Sequence, residues 1–284
     1  MKKVVIIRGS NLNKYEMQSF GFMADRFDIQ AIAAKKTIHS IQNINLPIHH
    51  LMCSQDLVNI LPRCAKGFAG LTLNRLIGIN QMLLGLGRQL QGIDIVHTAD
   101  PAYYYSYQAA RLKKELGFKL LVTQWENLPF VAEWNAIQRK VKYTVLKTAD
   151  HFLAVSRRAK ETLILEGVDS KRITISPPGI DIERFKPREK NATLLKELGL
   201  ESNNLLISYV GKLNYSKGVE FLLYAFKKLK SDSLVANLNS RIKLVFFGTG
   251  RKEKRLKSLT KKLGLSDDVT FYGTYLYSKI EDVY

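Results

Sequence analysis

The chain alternates short apolar runs with longer segments in which apolar residues recur every three or four positions. Nine runs rich in β-branched and aliphatic residues predict strands at positions 3–8, 27–33, 93–97, 119–123, 152–155, 173–176, 205–210, 242–247 and 269–272. The intervening segments have the periodicity of amphipathic helices. Strands that alternate with helices are typical of a parallel sheet covered by helices, so the pattern predicts an α/β fold.

Three helices have recognisable ends in the sequence. Ser156 is the predicted N-cap of a helix that runs to about Glu166 and is closed by Gly167. A second helix follows Lys217 and carries an apolar set at helical spacing, made of Phe221, Leu222, Ala225, Phe226 and Leu229. A third ends before Gly264 and carries on one face Leu256, Leu259 and Leu263.

A change of domain is indicated near SPPGIDIERFKP, residues 176–187, where a Pro-Pro-Gly turn and a further proline precede a fresh strand. A chain of 284 residues also exceeds what one core usually serves. We therefore predict an N-terminal Rossmann-like domain of residues 1–185 and a C-terminal one of residues 186–284. The second has three predicted strands and ends within a new helix at YSKIEDVY, so we expect it to be incomplete and the chain to be truncated.

The charge is strongly positive, with 44 Lys and Arg against 25 Asp and Glu, a formal net charge of +19. Such an excess indicates phosphate-bearing partners such as nucleic acid, anionic lipid or a nucleotide ligand, although a generally basic solvated surface explains much of it. The excess is spread over both halves, without a basic tail, helix-turn-helix, zinc finger or RNP-like strand. Nucleic acid is therefore not an expected partner.

Cysteine usage and the amino terminus point to the cytoplasm. The two cysteines, Cys53 and Cys64, lack metal-ligand spacing, so we predict reduced thiols and no metal site. The start MKKVVII fits a first strand better than a cleavable leader. The adjacent histidines His49 and His50 have no partners at metal spacing.

One segment, residues 58–91, is basic and rich in leucine, and it contains no acid. Its cations are Arg63, Lys66, Arg75 and Arg88. A segment of this kind can lie on an anionic bilayer surface, but it can equally form a pair of core helices. The sequence alone leaves both interpretations open.

Two lysines lie in a glycine-bounded loop between a strand and a helix. Gly211 and Lys212 follow the strand, and Lys217 and Gly218 precede the helix. Such a loop presents backbone N–H groups and two ammonium groups to an anion such as a diphosphate. Solvated loop lysines are the alternative. A glycine turn with Gly248 and Gly250 follows the next strand, and by itself it also fits a simple tight turn.

The order of these pieces resembles the family 4 (group 1) glycosyltransferases of the GT-B fold. The matching text is VSRRAKETLILEGVDSKRITISPPGIDIERFKP, YVGKLNYSKGVEFLLYAF and LVFFGTGRKEKRLKSLTKKLGLSDDVTFYGTYLYSKIEDVY. The resemblance covers residues 149–284 well and the first half by architecture. It implies two Rossmann-like domains facing across a cleft, the second of them incomplete here.

The resemblance also implies an activity. Members are retaining transferases that move a sugar from a nucleotide-diphosphate-sugar donor to a glycan or lipid-linked acceptor, in cell-envelope or polysaccharide biosynthesis. No cofactor and no obligatory metal are expected. The implied location is the cytoplasm, with peripheral attachment to the inner face of the plasma membrane.

On the donor side the resemblance assigns catalytic charge neutralisation of the diphosphate to Lys212 and Lys217. Family members more often have arginine at the first position, and lysine keeps the charge without the bidentate fork. The remaining donor-binding candidates are Gly9, Ser10, Gly211, Gly218, Gly248, Gly250, Tyr272 and Gly273. The lone Gly9 with Ser10 stands where the family has a glycine-rich loop, and an ordinary capped helix start is the alternative there.

On the acceptor side the candidates are His97, Trp125 and Glu126. Trp125 and Glu126 stand where the family often has a histidine, and Glu126 could act as a base or accept a bond from an acceptor hydroxyl. It could equally pair with a lysine, and His97 could be a satisfied structural residue. Two family glutamates seven residues apart would lie beyond Tyr284, so the alternative to an enzyme is a noncatalytic nucleotide-binding module.

Overall fold

The computed structural model describes residues 1–60, Pro62, 81–238 and 241–284. It consists of two compact units, Met1–Gly179 and Ile180–Tyr284. The predicted domain change after residue 185 stays a prediction. The two compact units divide six residues earlier, after Gly179. Most of the basic segment at 58–91, with Arg63, Lys66 and Arg75, lies outside the described residues, as does Cys64.

The first unit contains a seven-stranded sheet in which every strand pair is parallel. Its strands are β1 (Lys2–Gly9), β2 (Phe27–Ala34), β3 (Ile48–Leu51), β4 (Ile95–Ala99), β5 (Lys119–Gln124), β6 (His151–Ala154) and β7 (Ile173–Ile175). Their order across the sheet is β3-β2-β1-β4-β5-β6-β7. The carboxyl ends of β1, β4 and β5 therefore lie side by side at one edge of the sheet.

Helices connect these strands. They are α1 (Lys14–Gly21), α2 (Ser54–Ile60), α3 (Leu86–Gln89), α4 (Tyr104–Leu116), α5 (Ala136–Thr148) and α6 (Arg157–Leu165). Both faces of the sheet are buried, as in parallel sheets generally. Val5 and Ile7 of β1 belong to one core cluster and Ile6 to another, because successive side chains on a strand point to opposite faces.

All nine predicted strands are present, and the α/β prediction is confirmed. The sequence missed β3, the strand at the edge of the sheet, because its centre is the polar pair His49 and His50. Both rings have protein partners: His49 Nε2 lies 2.9 Å from Gln30 Oε1, and His50 Nδ1 lies 3.2 Å from the carbonyl oxygen of Ala34. The N-cap at Ser156 is also confirmed, since its hydroxyl accepts the N–H of Ala159 at 3.1 Å.

The second unit has a three-stranded parallel sheet in the order β10-β9-β8. Its strands are β8 (Leu205–Val210), β9 (Ile242–Phe247) and β10 (Val269–Gly273), and its helices are α7 (Ala192–Glu197), α8 (Val219–Lys230) and α9 (Glu253–Lys262). The last predicted helix is a 3-10 helix, Tyr277–Val283. Alternate residues of β9 again face two clusters, Leu244 and Phe246 toward α8 and α9, Val245 and Phe247 toward α7.

The predicted apolar set of α8 was partly wrong. Phe221 is 77% exposed and Ala225 is exposed, whereas Val219, Leu223 and Phe226 are the buried residues of the helix. The buried stripe runs at intervals of four and three residues from Val219, and Phe221 lies two residues, about 200° around the helix, from that position. The predicted face of α9 is confirmed, with Leu256 fully buried.

Candidate functional site

The loop between β8 and α8, residues 211–218, presents both predicted lysines. Lys212 and Lys217 are exposed, and neither makes an ion pair within the described part of the chain. The loop ends at Gly218, which begins α8 in a left-handed conformation (φ +63°) and gives the helix no side-chain cap. The N–H of Phe221 donates to the carbonyl oxygen of Gly218 at 3.0 Å. The two N–H groups before it, next to Lys217 in the chain, have no side-chain cap within the described residues, an arrangement suited to an anion.

The glycine turn after β9 packs directly on this loop. A Cβ on Gly248 would lie 1.9 Å from the carbonyl oxygen of Gly211, and one on Gly250 would lie 2.5 Å from that of Leu213. The N–H of Gly211 donates to Phe247 at 2.9 Å, and that of Leu213 donates to Thr249 at 3.0 Å. The structure thus brings together the predicted Gly211, Gly248 and Gly250, and the close approach requires glycine there.

The two predicted residues of β10 diverge. Gly273 joins the same cluster, since its carbonyl oxygen accepts the N–H of Gly248 at 2.6 Å. The side chain of Tyr272 belongs to the core on the α7 side, where its hydroxyl donates to Glu197 at 2.9 Å and its ring packs on Phe247. The hydrogen bond to Glu197 raises the pKa of Tyr272.

The structure places a further cation at this loop, Lys252, which the sequence analysis did not predict. Lys252 donates its backbone N–H to Leu213, and its Nζ lies 4.3 Å from the centre of the exposed Tyr215 ring and 3.0 Å from Glu220 Oε1. The hydrogen bond from Lys252, together with Arg255, lowers the pKa of Glu220. Lys252 lies far from the loop in the chain, and the signal available was its position directly after the glycine turn.

In the first unit the turn after β1 is held by packing. Gly9 has φ +54°, and a Cβ there would lie 2.2 Å from Gln81 Oε1 and press on the ring of Tyr105. The N–H of Ser10 donates to the same Gln81 oxygen at 2.8 Å. Asn13 caps α1 by accepting the N–H of Glu16. These contacts make a tight turn before a capped helix, and the donor-binding role of Gly9 and Ser10 stays a prediction.

His97 is buried inside β4. The predicted strand ended at His97, whereas β4 continues to Ala99. Its Nε2 lies 2.7 Å from Thr123 Oγ1, and its ring packs against Phe20. Burial, and secondarily the charge of Arg8, lower the pKa of His97. These contacts are those of a satisfied structural histidine, the alternative that the sequence left open.

A cavity of about 220 Å³ opens at the edge where β4 and β5 end. Its lining residues are Asp100, Pro101, Ala102, Tyr103, Gln124, Glu126, Val131, Ala132, Gln138 and Lys142. Of the predicted acceptor-side residues, Glu126 lines this cavity. Its Oε1 accepts the backbone N–H groups of Asn127 and Leu128, at 2.9 and 3.1 Å, which holds the carboxylate at the start of the loop.

Asp100 is the cavity carboxylate that the sequence interpretation missed. It adopts a left-handed conformation (φ +45°), uncommon for a residue other than glycine, and its Oδ1 accepts the N–H of Trp125 at 2.9 Å. Burial raises the pKa of Asp100 to about 6, against a weaker opposing effect of the Trp125 hydrogen bond. The available signal was its place directly after the strand in DIVHTAD.

Beneath the cavity lies a buried charge network. Lys142 of α5, 5% exposed, donates to Glu166 Oε1 at 2.6 Å and to Glu133 Oε1 at 3.0 Å. It also donates to the carbonyl oxygen of Val131 at 3.0 Å, and Glu166 Oε1 accepts the N–H of Phe130 at 2.7 Å. The network therefore fixes the loop between β5 and α5, which forms one wall of the cavity.

Within residues 1–60, 81–238 and 241–284 there is no group of three His, Cys, Asp or Glu side chains placed to hold a metal ion. No helix in this same part of the chain has the length and apolar content needed to cross a membrane.

Two family models match the chain in succession. Residues 59–184 match the model described as Glycosyltransferase Family 4, and residues 190–284 match the model described as Glycosyl transferases group 1. A curated relative, D-inositol 3-phosphate glycosyltransferase of Nocardia farcinica, is 28% identical over 209 residues, which is 69% of this chain and 46% of the relative. The chain spans less than half the length of this relative and of the D-inositol 3-phosphate glycosyltransferases of Segniliparus rotundus and Streptomyces bingchenggensis.

Solved structures show the same fold. Anabaena HepE in complex with UDP superposes with a TM-score of 0.68 at 14% identity, covering 97% of this chain and 70% of HepE. A structure titled trehalose-6-phosphate from E. coli, bound with UDP-2-fluoro glucose, gives a TM-score of 0.64 at 14% identity, covering 97% and 74% of the two chains. These likenesses confirm the α/β, GT-B-like fold class.

Proposed function

This chain belongs to the family 4, group 1 glycosyltransferases, and we propose that it transfers a sugar from a nucleotide-diphosphate-sugar donor to a hydroxyl of a glycan or lipid-linked acceptor. The observation that carries the donor side is the loop of residues 211–218. It presents Lys212 and Lys217, free of ion pairs within the described residues, on a backbone held in place by the contacts of Gly248 and Gly250. Two cations on a held backbone, beside N–H groups without a side-chain cap, suit a diphosphate.

The chemistry explains why this charge matters. When the anomeric bond breaks, the sugar becomes oxocarbenium-like and the diphosphate gains negative charge, which Lys212 and Lys217 stabilise more in the transition state than in the ground state. In the retaining reaction that we propose, a departing phosphate oxygen takes the proton of the acceptor hydroxyl on the same face. The acceptor oxygen then bonds to the anomeric carbon, without a protein nucleophile and without an obligatory metal.

The probe for the donor side is a uridine nucleotide. The structural neighbours named above were solved with UDP and with UDP-2-fluoro glucose, and the resemblance of the β8–α8 loop to the group 1 glycosyltransferases supports a diphosphate ligand here. Lys252 adds a third cation at the same loop, partly neutralised by Glu220. We propose that it supports the loop and that Lys212 and Lys217 make the phosphate contacts.

The proposed place for the acceptor is the first unit, at the cavity formed by Asp100, Gln124 and Glu126. The relative from Nocardia farcinica is named for transfer to an inositol phosphate, which is consistent with a polyhydroxylated acceptor. We propose an envelope glycan or a lipid-linked sugar. In such a reaction Glu126 or Asp100 would accept a hydrogen bond from the attacking hydroxyl and orient it.

For a lipid-linked acceptor we propose that the protein works in the cytoplasm and attaches peripherally to the inner face of the plasma membrane. Support comes from the β5–α5 loop, which exposes Leu128, Phe130 and Trp134, the last to 76%. Arg157 and Arg158, at the start of α6, are also exposed. They lie next to the loop, since the preceding residue, Ser156, donates a hydrogen bond to Asn127 of the loop. Aromatic side chains flanked by cations favour an anionic bilayer surface.

The test of the donor site is calorimetric titration of UDP into the protein and its variants. Lys212→Ala and Lys217→Ala should each weaken binding by about tenfold, the loss of one charge-assisted contact of about 1.4 kcal/mol. Lys228→Ala, which removes an exposed lysine from α8, is the matched control and should bind as the parent does. Equal UDP affinity in all four proteins would remove the diphosphate assignment, and binding without any sugar transfer would favour the nucleotide-binding module.

A further inference from the structure

We propose that the cavity at the ends of β4 and β5 binds an uncharged polyol, a sugar or cyclitol that carries no phosphate, through the hydroxyl groups of that polyol. The inference deepens the proposed function, on which it rests for the role of this ligand as the acceptor. The binding itself is independent of the donor site. The evidence lies in the hydrogen-bonding groups on the cavity wall and in the sign of the charge around them.

The first observation is an unsatisfied acceptor in a residue that lines the cavity. Gln124 is 2% exposed and lines the cavity, and its Nε2 donates to the backbone oxygen of Glu126 at 3.1 Å. That bond fixes which end of the amide is which, because the reversed amide would set two oxygens against each other. Within the described part of the chain, Gln124 Oε1 is then buried without a hydrogen-bond partner. Buried polar atoms are rarely left unpaired, so a residue of the cavity lining keeps an unmet acceptor beside the cavity.

Two carboxylates add further acceptors to the same wall. Glu126 uses Oε1 for two backbone N–H groups, and its Oε2 makes no hydrogen bond within the described residues. Asp100 offers a second carboxyl group, oriented by the N–H of Trp125. An ionised carboxylate only accepts hydrogen bonds. Two carboxyl groups on the wall, with the unmet acceptor of Gln124 beside them, call for a ligand with several donors, and adjacent hydroxyl groups on a ring supply them.

The charge around the cavity disfavours an anionic ligand. Lys142 is the one cation among the described lining residues, and it is already paired with both Glu166 and Glu133. Arg8, which lies near enough to influence Asp100, is paired through Nε with Glu16 at 2.6 Å. Its Nη2 has no partner within the described residues, but Arg8 is buried and does not line the cavity. A phosphate group on the ligand would therefore meet two carboxylates and, among the described lining residues, no cation outside an ion pair; like-charge juxtaposition weakens binding strongly.

The size of the cavity agrees with a single ring. Its volume of about 220 Å³ is below the range of about 300–1,000 Å³ that is usual for sites that enclose drug-sized molecules. The aliphatic part of the wall comes from Pro101, Ala102, Val131 and Ala132. Such a wall can pack against the apolar face of a sugar ring while the carboxylates take its hydroxyls.

The experiment is saturation-transfer NMR on the full chain, without donor, using myo-inositol, methyl α-D-glucopyranoside and inositol 3-phosphate as probes. At least one neutral probe should bind about tenfold more tightly than inositol 3-phosphate. In the double variant Asp100→Asn/Glu126→Gln, whose amide oxygens can still accept the backbone N–H groups, this preference should fall below about threefold. Glu115→Gln, which removes an exposed carboxylate from α4, should keep the preference of the parent.

A charge reversal keeps the test decisive if the double variant does not fold. Glu126→Lys, on the exposed loop, should strengthen binding of inositol 3-phosphate by about tenfold relative to the parent. The proposal is overturned if inositol 3-phosphate binds the parent as tightly as the neutral probes, or if no neutral probe shows saturable binding that the cavity variants change. UDP titration of the same samples reports the donor site separately, so a failure there leaves polyol binding standing as its own result.

Discussion

The Lys142 network offers the most direct test of how the first unit is held together. In Lys142→Met the aliphatic stem is retained while the ammonium group is removed. The substitution takes away the donors to Glu166 and Glu133 and the donor to the carbonyl oxygen of Val131. The Glu166 side chain is only 1% exposed, and its Oε2 lacks a partner among the described residues. Lys142→Met would therefore leave Glu166 as a buried, uncompensated carboxylate.

The magnitude follows from the two ways in which the protein can respond. Leaving a buried charge after removal of its partner costs about 3–5 kcal/mol. Protonating a carboxyl group of ordinary pKa, about 4.3, costs about 3.7 kcal/mol at pH 7, which limits the penalty from the charge itself. We therefore expect Lys142→Met to lower the free energy of unfolding by about 4 kcal/mol at pH 7. At pH 5 protonation costs about 2.7 kcal/mol less, so the loss should shrink to about 1–2 kcal/mol.

Tryptophan fluorescence during urea unfolding is a suitable assay, because both tryptophans, Trp125 and Trp134, belong to the first unit. Lys140→Met removes an exposed lysine from the same helix and is the matched control, with an expected change within about 0.5 kcal/mol. The double variant Lys142→Met/Glu166→Leu should recover at least about 2 kcal/mol, since no buried charge then remains. A loss for Lys142→Met no greater than that of Lys140→Met at pH 7 would refute the reasoning.

Two further variants test other parts of the structure. Gly248→Ala should lower the free energy of unfolding of the second unit by more than about 2 kcal/mol and abolish UDP binding, because its Cβ would lie 1.9 Å from the oxygen of Gly211. Gly264→Ala, also at positive φ but with open space around it, is the control and should lower that free energy by only about 1 kcal/mol. Hydrogen exchange of the second unit measures both. Asp100→Asn should stabilise the first unit by at most about 3 kcal/mol at pH 7. Because the pKa of Asp100 is raised to about 6 in the folded protein, the wild-type protein loses stability as pH rises from about 4 to 6. The free energies of unfolding of the two proteins should therefore converge near pH 4. Equal pH profiles for Asp100→Asn and the exposed control Glu115→Gln would contradict that assignment.

Local pattern was sufficient for nine of the ten described strands and for the position of the loop of residues 211–218. Nine strands could be located because apolar runs of strand length, separated by helical periodicity, leave few other folds open. The lysine loop could be found because Gly211, Lys212, Lys217 and Gly218 are neighbours in the chain and carry their chemistry together. The contact of Gly248 with the Gly211 carbonyl shows why the second glycine turn is needed, but the turn itself was visible in the sequence.

Only the tertiary structure decided the cavity of the first unit. Asp100 directly follows β4, Gln124 ends β5 and Lys142 belongs to α5. They converge because parallel pairing of β4 with β5 brings the carboxyl ends of the two strands to one edge. Whether a charged side chain is in an ion pair also depends on that convergence. Lys142 is neutralised by Glu166, which is 24 residues away in the chain. Composition predicts a basic protein throughout, yet folding pairs the cavity's lysine and leaves its carboxylates unpaired, because charge acts over distances in space and not along the chain.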